Sequence, residues 1–309
     1  MKKITFLYVL LGLFFSYCLP VLAQKTDSLR VIAIFAHPDD ADGKMGGTGA
    51  LLARMGVAVK YVSLTNGDAG HFAEGGGALA GRRREEARKA AIQYGIAEYV
   101  VLNNHDSELV PDLEVRMQVI REIRKWNADV VIGLRPNDYH PDHRNAGKLV
   151  EDAAYMVAVP NVASDVPALK KNPVFLYMQD NFKKPNEFSH DIVIAIDETF
   201  EQKINGLNEH TSQVYEWLPW IAFQGNISMV PPASDPVARK KWLRETDLYD
   251  RYHNKIMNPK QRAGLEKWYG KDTAAKIKYA ESFEIAEYGS QPSEEDIIRL
   301  FPMLKDKNK

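Results

Sequence analysis

The stretch Val31-Ile32-Ala33-Ile34-Phe35-Ala36-His37-Pro38-Asp39-Asp40 decides how this chain is to be read. Six consecutive apolar residues fit a strand buried on both faces, as in a parallel sheet covered by helices. The turn at Pro38 stops the run, and an imidazole and two carboxylates stand at its carboxyl end. In an open parallel sheet that end is where ligands bind. Such groups are costly there unless they coordinate, pair or face water. The placement favours a metal site.

Outward from this stretch, strand-like and helix-like patterns alternate. Residues 57–64 read as a second strand ending at Asn66-Gly67-Asp68, residues 98–102 as a third, 130–134 as a fourth and 174–178 as a fifth, with a further strand at 192–196. Helical patterns fall at 46–54, at 82–94 before Gly95, and at 113–126, 143–156 and 198–210. Alternation of this length implies right-handed βαβ crossovers and an α/β fold, a mostly parallel, doubly wound sheet flanked by helices. Gly75-Gly76-Gly77 reads as a surface loop, either mobile near a ligand site or a plain connection. From Trp217 onward the periodicity weakens into a loop-rich segment with aromatic residues, followed by helical patterns at 236–253 and 274–286 and a charged tail from Lys305. The division expected is a core at 24–215 with a C-terminal elaboration at 216–309 packed on it.

Residues 1–23 read as a secretory signal peptide, with Lys2 and Lys3 before an apolar run and Val21-Leu22-Ala23 at the cleavage site. The run is short for a membrane span of about 20 residues. The expected protein is therefore exported, periplasmic or secreted, with no stable membrane insertion after cleavage. The only cysteine, Cys18, leaves with this segment. Any metal must then be held by His and carboxylate, without thiolate. Forty basic residues against 41 acidic ones give no basic excess and argue against a nucleic-acid partner.

A second cluster, Tyr139-His140-Pro141-Asp142-His143, follows the fourth strand. The usual strand order sets the first and fourth strands side by side across the switch point, so the two clusters meet. His37, Asp40 and His143 then offer nitrogen and oxygen ligands and leave one tetrahedral position for water, the pattern of a catalytic zinc, with another divalent metal as the variant. Asp39 beside a ligand is placed to take a proton from that water. His140 is placed to stabilise an oxyanion or to protonate a leaving amine. Asp142 either orients an imidazole or caps the following helix.

Ala36-His37-Pro38-Asp39-Asp40 and His140-Pro141-Asp142-His143 together resemble the motifs of the PIG-L family of zinc-dependent de-N-acetylases, also called LmbE-like. Gly46-Gly47-Thr48, Thr65-Asn66-Gly67-Asp68, the start of the 82–94 helix and His210-Thr211-Ser212-Gln213 add to a likeness that covers about residues 31–215. The resemblance implies a Rossmann-like sheet, zinc on His37, Asp40 and His143, Asp39 as general base and His140 acting on the tetrahedral intermediate. One departure stands out: the family usually carries Glu where this chain has Ala41, followed by Asp42. A supporting hydrogen bond is either lost or supplied by Asp42. By the same resemblance Asp68, Asp106 and Arg84 bind sugar hydroxyls, although the alternating charges around Arg84 read equally well as a solvated helix face. His210 either shapes the site rim or satisfies a helix C-terminus.

The function expected is hydrolysis of the acetamide of an N-acetylated amino sugar of the N-acetylglucosamine type, or of its conjugate, releasing acetate. The alternatives are a zinc amidase for a larger acyl or conjugate amide, and a non-catalytic sugar-binding relative. The partner in each case is a small molecule or glycan.

Overall fold

A computed structural model describes residues 28–255 and 258–304; the expected signal peptide and the charged tail from Lys305 lie outside the described residues. The first strands and helices are β1 (Arg30–Phe35), α1 (Asp40–Arg54), β2 (Ala58–Thr65), α2 (Gly76–Tyr94), β3 (Glu98–Asn104), α3 (Leu113–Trp126), β4 (Val130–Gly133), α4 (Pro141–Met156) and β5 (Val174–Met178). Next come β6 (Ile192–Ala195), α5 (Phe200–Glu209), a π-helical turn at Ser212–Trp217 and α6 (Leu218–Ala222). The chain continues with α7 (Pro236–Glu245), α8 (Asp250–His253), α9 (Pro259–Tyr269), α10 (Lys271–Ala274), β7 (Ala280–Gly289) and α11 (Glu294–Leu300).

The strands form one sheet in the order β3-β2-β1-β4-β5-β7-β6. The first five are parallel, and β1 pairs with both β2 and β4. Successive strands therefore run one way from β1 and the other way from β4, which puts the switch point between the carboxyl ends of these two strands. Residues 31–36 are wholly buried, as their apolar run requires. Among the described residues no helix is long and apolar enough to cross a membrane.

Several elements differ from the sequence reading. The helical reading of 274–286 gives way to β7, which lies between β5 and β6 and runs antiparallel to both. Its apolar and polar residues alternate around Phe283, Glu284 and Ile285 with the period of a strand, a signal that the Ala and Glu content masked. Helix α1 starts at Asp40 instead of residue 46, with a kink at Met45. Beyond the kink the Gly47 and Thr48 N–H groups donate to the Glu281 carboxylate at 3.1 and 2.6 Å, so a side chain from β7 caps the second half. Glu281 is also bound to the fully buried Lys203 at 2.6 Å. Gly76 and Gly77 open α2 instead of forming a loop, with the Gly76 N–H donating to the Asp68 carbonyl. The segment after Thr211 is also more helical than expected, through the π turn and α6. π turns of this kind occur frequently at functional sites.

Candidate metal centre

The turn after β1 is folded tightly on itself. The His37 carbonyl accepts from the Asp39 and Asp40 N–H groups, and the His37 N–H donates to Asp40 Oδ2 at 2.8 Å. Asp39 sits at φ 155° and ψ −16°, a conformation unfavourable for a residue with a Cβ. Strain of this kind persists only where the surroundings over-determine it, and it concentrates at active sites. Asp40 then begins α1. Tyr252 crosses the first turn so closely that a Cβ on Gly43 would lie 2.5 Å from its ring.

From β4, α4 brings the second cluster. His140 caps the helix, its Nδ1 accepting from the Asp142 N–H at 3.2 Å, and Pro141 takes the first helical position. In the neutral ring the proton is therefore on Nε2. His143 is one turn further on.

The two clusters meet. His37 Nδ1 lies 3.2 Å from His143 Nε2, Asp40 Oδ1 lies 3.2 Å from the same nitrogen, and Asp40 Oδ2 lies 3.7 Å from His37 Nδ1. Ligands about 2.1 Å from a tetrahedral ion are about 3.4 Å apart, so these spacings match the edges of such a site. The outer edge of each imidazole meets carboxylates. His37 Nε2 faces Asp106 at 3.0 Å and Asp142 at 3.2 Å, and His143 Nδ1 faces Asp138 at 3.1 Å. Carboxylates behind ligand imidazoles fix ring orientation and raise basicity. Carboxylates outnumber imidazoles in this cluster, so a divalent cation fits its charge. Two overlapping sets among the described residues, His37-His140-His143 and His37-Asp106-Asp142, are also spaced to hold a metal ion.

The protonation preferences follow from these contacts. Burial works against the His37 imidazolium, but Asp106 and Asp142, then Asp40, outweigh it and lift its pKa to about 10. Burial works against the Asp40 carboxylate too, yet His143 and His37 hold it far below the usual range. Burial pushes the Asp39 carboxyl up to about 6, against the pull of Arg83. Asp106 stays at about 2 despite its burial, held by His37 and then Arg83. His140 is lowered by burial and by the neighbouring His37 and His143.

Of the substrate contacts expected from sequence, Asp106 lines the cleft. Asp68 does not line it; its carboxylate accepts from the Asp106 N–H at 3.0 Å and pairs with His105 at 2.6 Å, which shapes the loop that presents Asp106. Arg84 is exposed on the outer face of α2 and donates to Asn103 at 2.7 Å. The arginine in the site is Arg83, only 2% exposed, 3.3 Å from Asp39 Oδ1 and 3.6 Å from Asp106 Oδ2. Gly67, at φ 71°, lets it lie against the turn, since a Cβ there would be 2.5 Å from the guanidinium. Helical phase was the signal for this residue: Leu79, Ala80, Arg83, Glu86, Ala87 and Ala90 form the buried stripe of α2, and Arg84 is out of step with it. Asp138 was also missed. The carboxylate five residues before His143 was its only mark in the sequence. His210 is not a rim residue; it is fully buried at the C-cap of α5, with Nε2 2.9 Å from Asp42 Oδ1, which favours its cationic form.

The family model described as PIG-L, GlcNAc-PI de-N-acetylase, matches residues 32–154. The diacetylchitobiose deacetylase of Thermococcus kodakarensis is 32% identical over 217 residues, covering 66% of this chain and 78% of that protein. A probable N-acetyl-α-D-glucosaminyl L-malate deacetylase 2 of Bacillus cereus is 29% identical, covering 60% and 83%. Among solved structures, the N,N′-diacetylchitobiose deacetylase of Pyrococcus horikoshii superimposes with a TM-score of 0.59 at 26% identity, covering 84% of each chain. A 4-carboxy-2-hydroxymuconate hydratase from Pseudomonas putida shares the fold at a TM-score of 0.60 and 18% identity, so the fold alone does not fix the chemistry. With its two motifs joined across β1 and β4, and with a curated relative matched over most of its length, this chain belongs to the PIG-L family.

Proposed function

We propose that the protein is a zinc-dependent de-N-acetylase that hydrolyses the acetamide of an N-acetylglucosamine-type sugar or its conjugate and releases acetate. The observation that carries this reading is the convergence of His37 Nδ1, His143 Nε2 and the Asp40 carboxylate at ligand spacing. These three are the proposed ligands. Asp106 and Asp142 sit at the opposite edge of the His37 ring, where they orient it, and His140 keeps its Nε2–H for the substrate. His37, Asp40 and His143 would hold a divalent cation, which would supply Lewis acidity and a water acidified toward neutral pH.

The chain's own residues do the rest. Asp39, with its pKa of about 6, is mostly ionised at neutral pH yet basic enough to take the proton of the attacking water. His140 donates from Nε2 to the oxygen of the tetrahedral carbon, where charge develops. The proton on Asp39 passes to the leaving amine as the C–N bond breaks, giving acetate and the free amino sugar. Arg83 holds Asp39 and Asp106 in place. The leader-like residues 1–23 support export, which fractionation of the host cell tests. For the reaction itself, metal content is measured on the purified protein, and acetate release from N-acetylglucosamine and diacetylchitobiose is followed with and without chelator. Release that stops with chelator and returns with zinc is expected. Protein that binds no metal under any condition refutes the reading.

A further inference from the structure

One wall of the cleft is aromatic, and the reaction as proposed makes no use of it. Trp217, the last residue of the π turn, lines the cleft together with Gln213 and His140. Trp220 stacks behind it with centroids 5.6 Å apart and planes 12° apart. Phe72 stacks on Trp220 at 5.4 Å and 12°, and His71 on Phe72 at 4.5 Å and 23°. Four rings from two separate segments thus make one column that ends at the cleft. Aromatic residues usually serve a core, but Phe72 is 42% exposed and Trp217 and Trp220 are only partly buried. Among the described residues Trp220 is the one ring partner of Trp217.

The column is also held rigidly. His71 Nδ1 accepts from the Ala73 and Glu74 N–H groups, which leaves Nε2–H to donate to Glu216 at 3.0 Å. Glu216 in turn accepts from Arg82 at 2.6 Å. Trp217, next to Glu216, is therefore pre-positioned, which spares a ligand the cost of ordering it.

We propose that Trp217 is the stacking wall for a second pyranose ring, the sugar joined to the one whose acetamide reacts, so that an oligosaccharide is bound in preference to a free monosaccharide. This deepens the deacetylase reading and rests on it. An indole face carries the negative side of its quadrupole. The axial C–H groups of a gluco-configured ring are its positive, apolar face, and its equatorial hydroxyls point outward. The cleft that Trp217 lines also presents Gln213, Arg83, Asp106 and Ser107, which suit sugar hydroxyls, beside Leu218 and Tyr252.

The test separates binding from turnover. Calorimetry on the zinc-loaded protein carrying Asp39→Asn compares N-acetylglucosamine, N,N′-diacetylchitobiose and octyl N-acetylglucosaminide, alone and combined with Trp217→Leu or Trp217→Phe. Leu keeps apolar volume without a π face, and thermal unfolding of each variant checks the fold. The disaccharide is expected to bind more tightly than the monosaccharide, Trp217→Leu to remove about three- to tenfold of that gain, and Trp217→Phe to retain part of it. An unchanged ratio with Trp217→Leu, or a Trp217-dependent gain confined to the octyl glycoside, overturns the proposal. Failure of the wild type to release acetate from any of these compounds sinks the deacetylase reading instead, and the calorimetric ratio still decides the stacking wall.

Discussion

Replacing Arg83 with Met tests the link between site electrostatics and catalysis most directly. The guanidinium lies 3.3 Å from Asp39 Oδ1, is 2% exposed, and is the strongest group pulling the Asp39 pKa down against burial. A buried opposite charge at such a distance shifts a carboxyl by about 1–3 units. Met fills much of the volume and removes the charge, so the Asp39 pKa should rise from about 6 to roughly 7–9. The sign follows: a general base works ionised, so a raised pKa moves the acid limb of kcat/KM to higher pH. At pH 7 the ionised fraction would fall from about nine-tenths to between one half and one hundredth, a loss of about two- to hundredfold. Above pH 9 most of that loss should be recovered. The assay is the pH profile of kcat/KM for acetate release. A limb that stays in place while the plateau drops evenly at all pH values would show that Arg83 acts on substrate or fold, and that its charge does not tune Asp39.

Other outcomes follow from the same contacts. Asp39→Asn should abolish turnover yet stabilise the fold by about 3 kcal/mol above pH 6, since the folded carboxyl is raised and its ionisation opposes folding; the gain should fade as pH falls from about 6 to 4, as read by urea unfolding at several pH values. Glu281→Gln leaves the buried Lys203 without its carboxylate and should cost about 3–5 kcal/mol in the same assay. Arg84→Ala, on the outer face of α2, should change KM by less than about twofold; a tenfold rise would return that residue to the cleft.

Much of the site was legible because short-range rules placed it. The apolar run before His37 identified a buried strand, its carboxyl end pointed to the candidate site, and the parallel alternation joined β1 to β4. Those steps need only local pattern and the handedness of crossovers. What stayed hidden depends on contacts between distant segments. Glu281 on β7 caps the second half of α1 across more than two hundred residues, and no local pattern announces such a carboxylate. Arg83 and Arg84 are neighbours in a run of three arginines, so composition cannot separate them and only the phase of the buried stripe does. Asp68 illustrates the converse. Its place at the end of β2 was right for a ligand contact, but a carboxylate that accepts from a backbone N–H and a histidine already has partners.

The departure at position 41 takes a definite meaning from the structure. Ala41 is fully buried, and Asp42, one residue on, is fully buried as well. A single residue along a helix turns the side chain by about 100°, so Asp42 projects on a different face of α1 from residue 41. That face meets His210 at the end of α5 and Tyr99 on β3, and the carboxylate accepts from both, at 2.9 and 2.8 Å. Burial alone would raise the Asp42 carboxyl; His210, then Tyr99, hold it below its usual range, and the His210 imidazole is raised in return. A buried pair with both partners present fixes geometry more than it adds stability. Asp42 therefore ties the first turn of α1, the turn that carries Asp40 and follows the strained Asp39, to two elements outside the cleft. With Ala41 in place of the Glu that the resemblance implies, the turn carrying Asp40 is still anchored, because the anchor is on the next residue and faces α5.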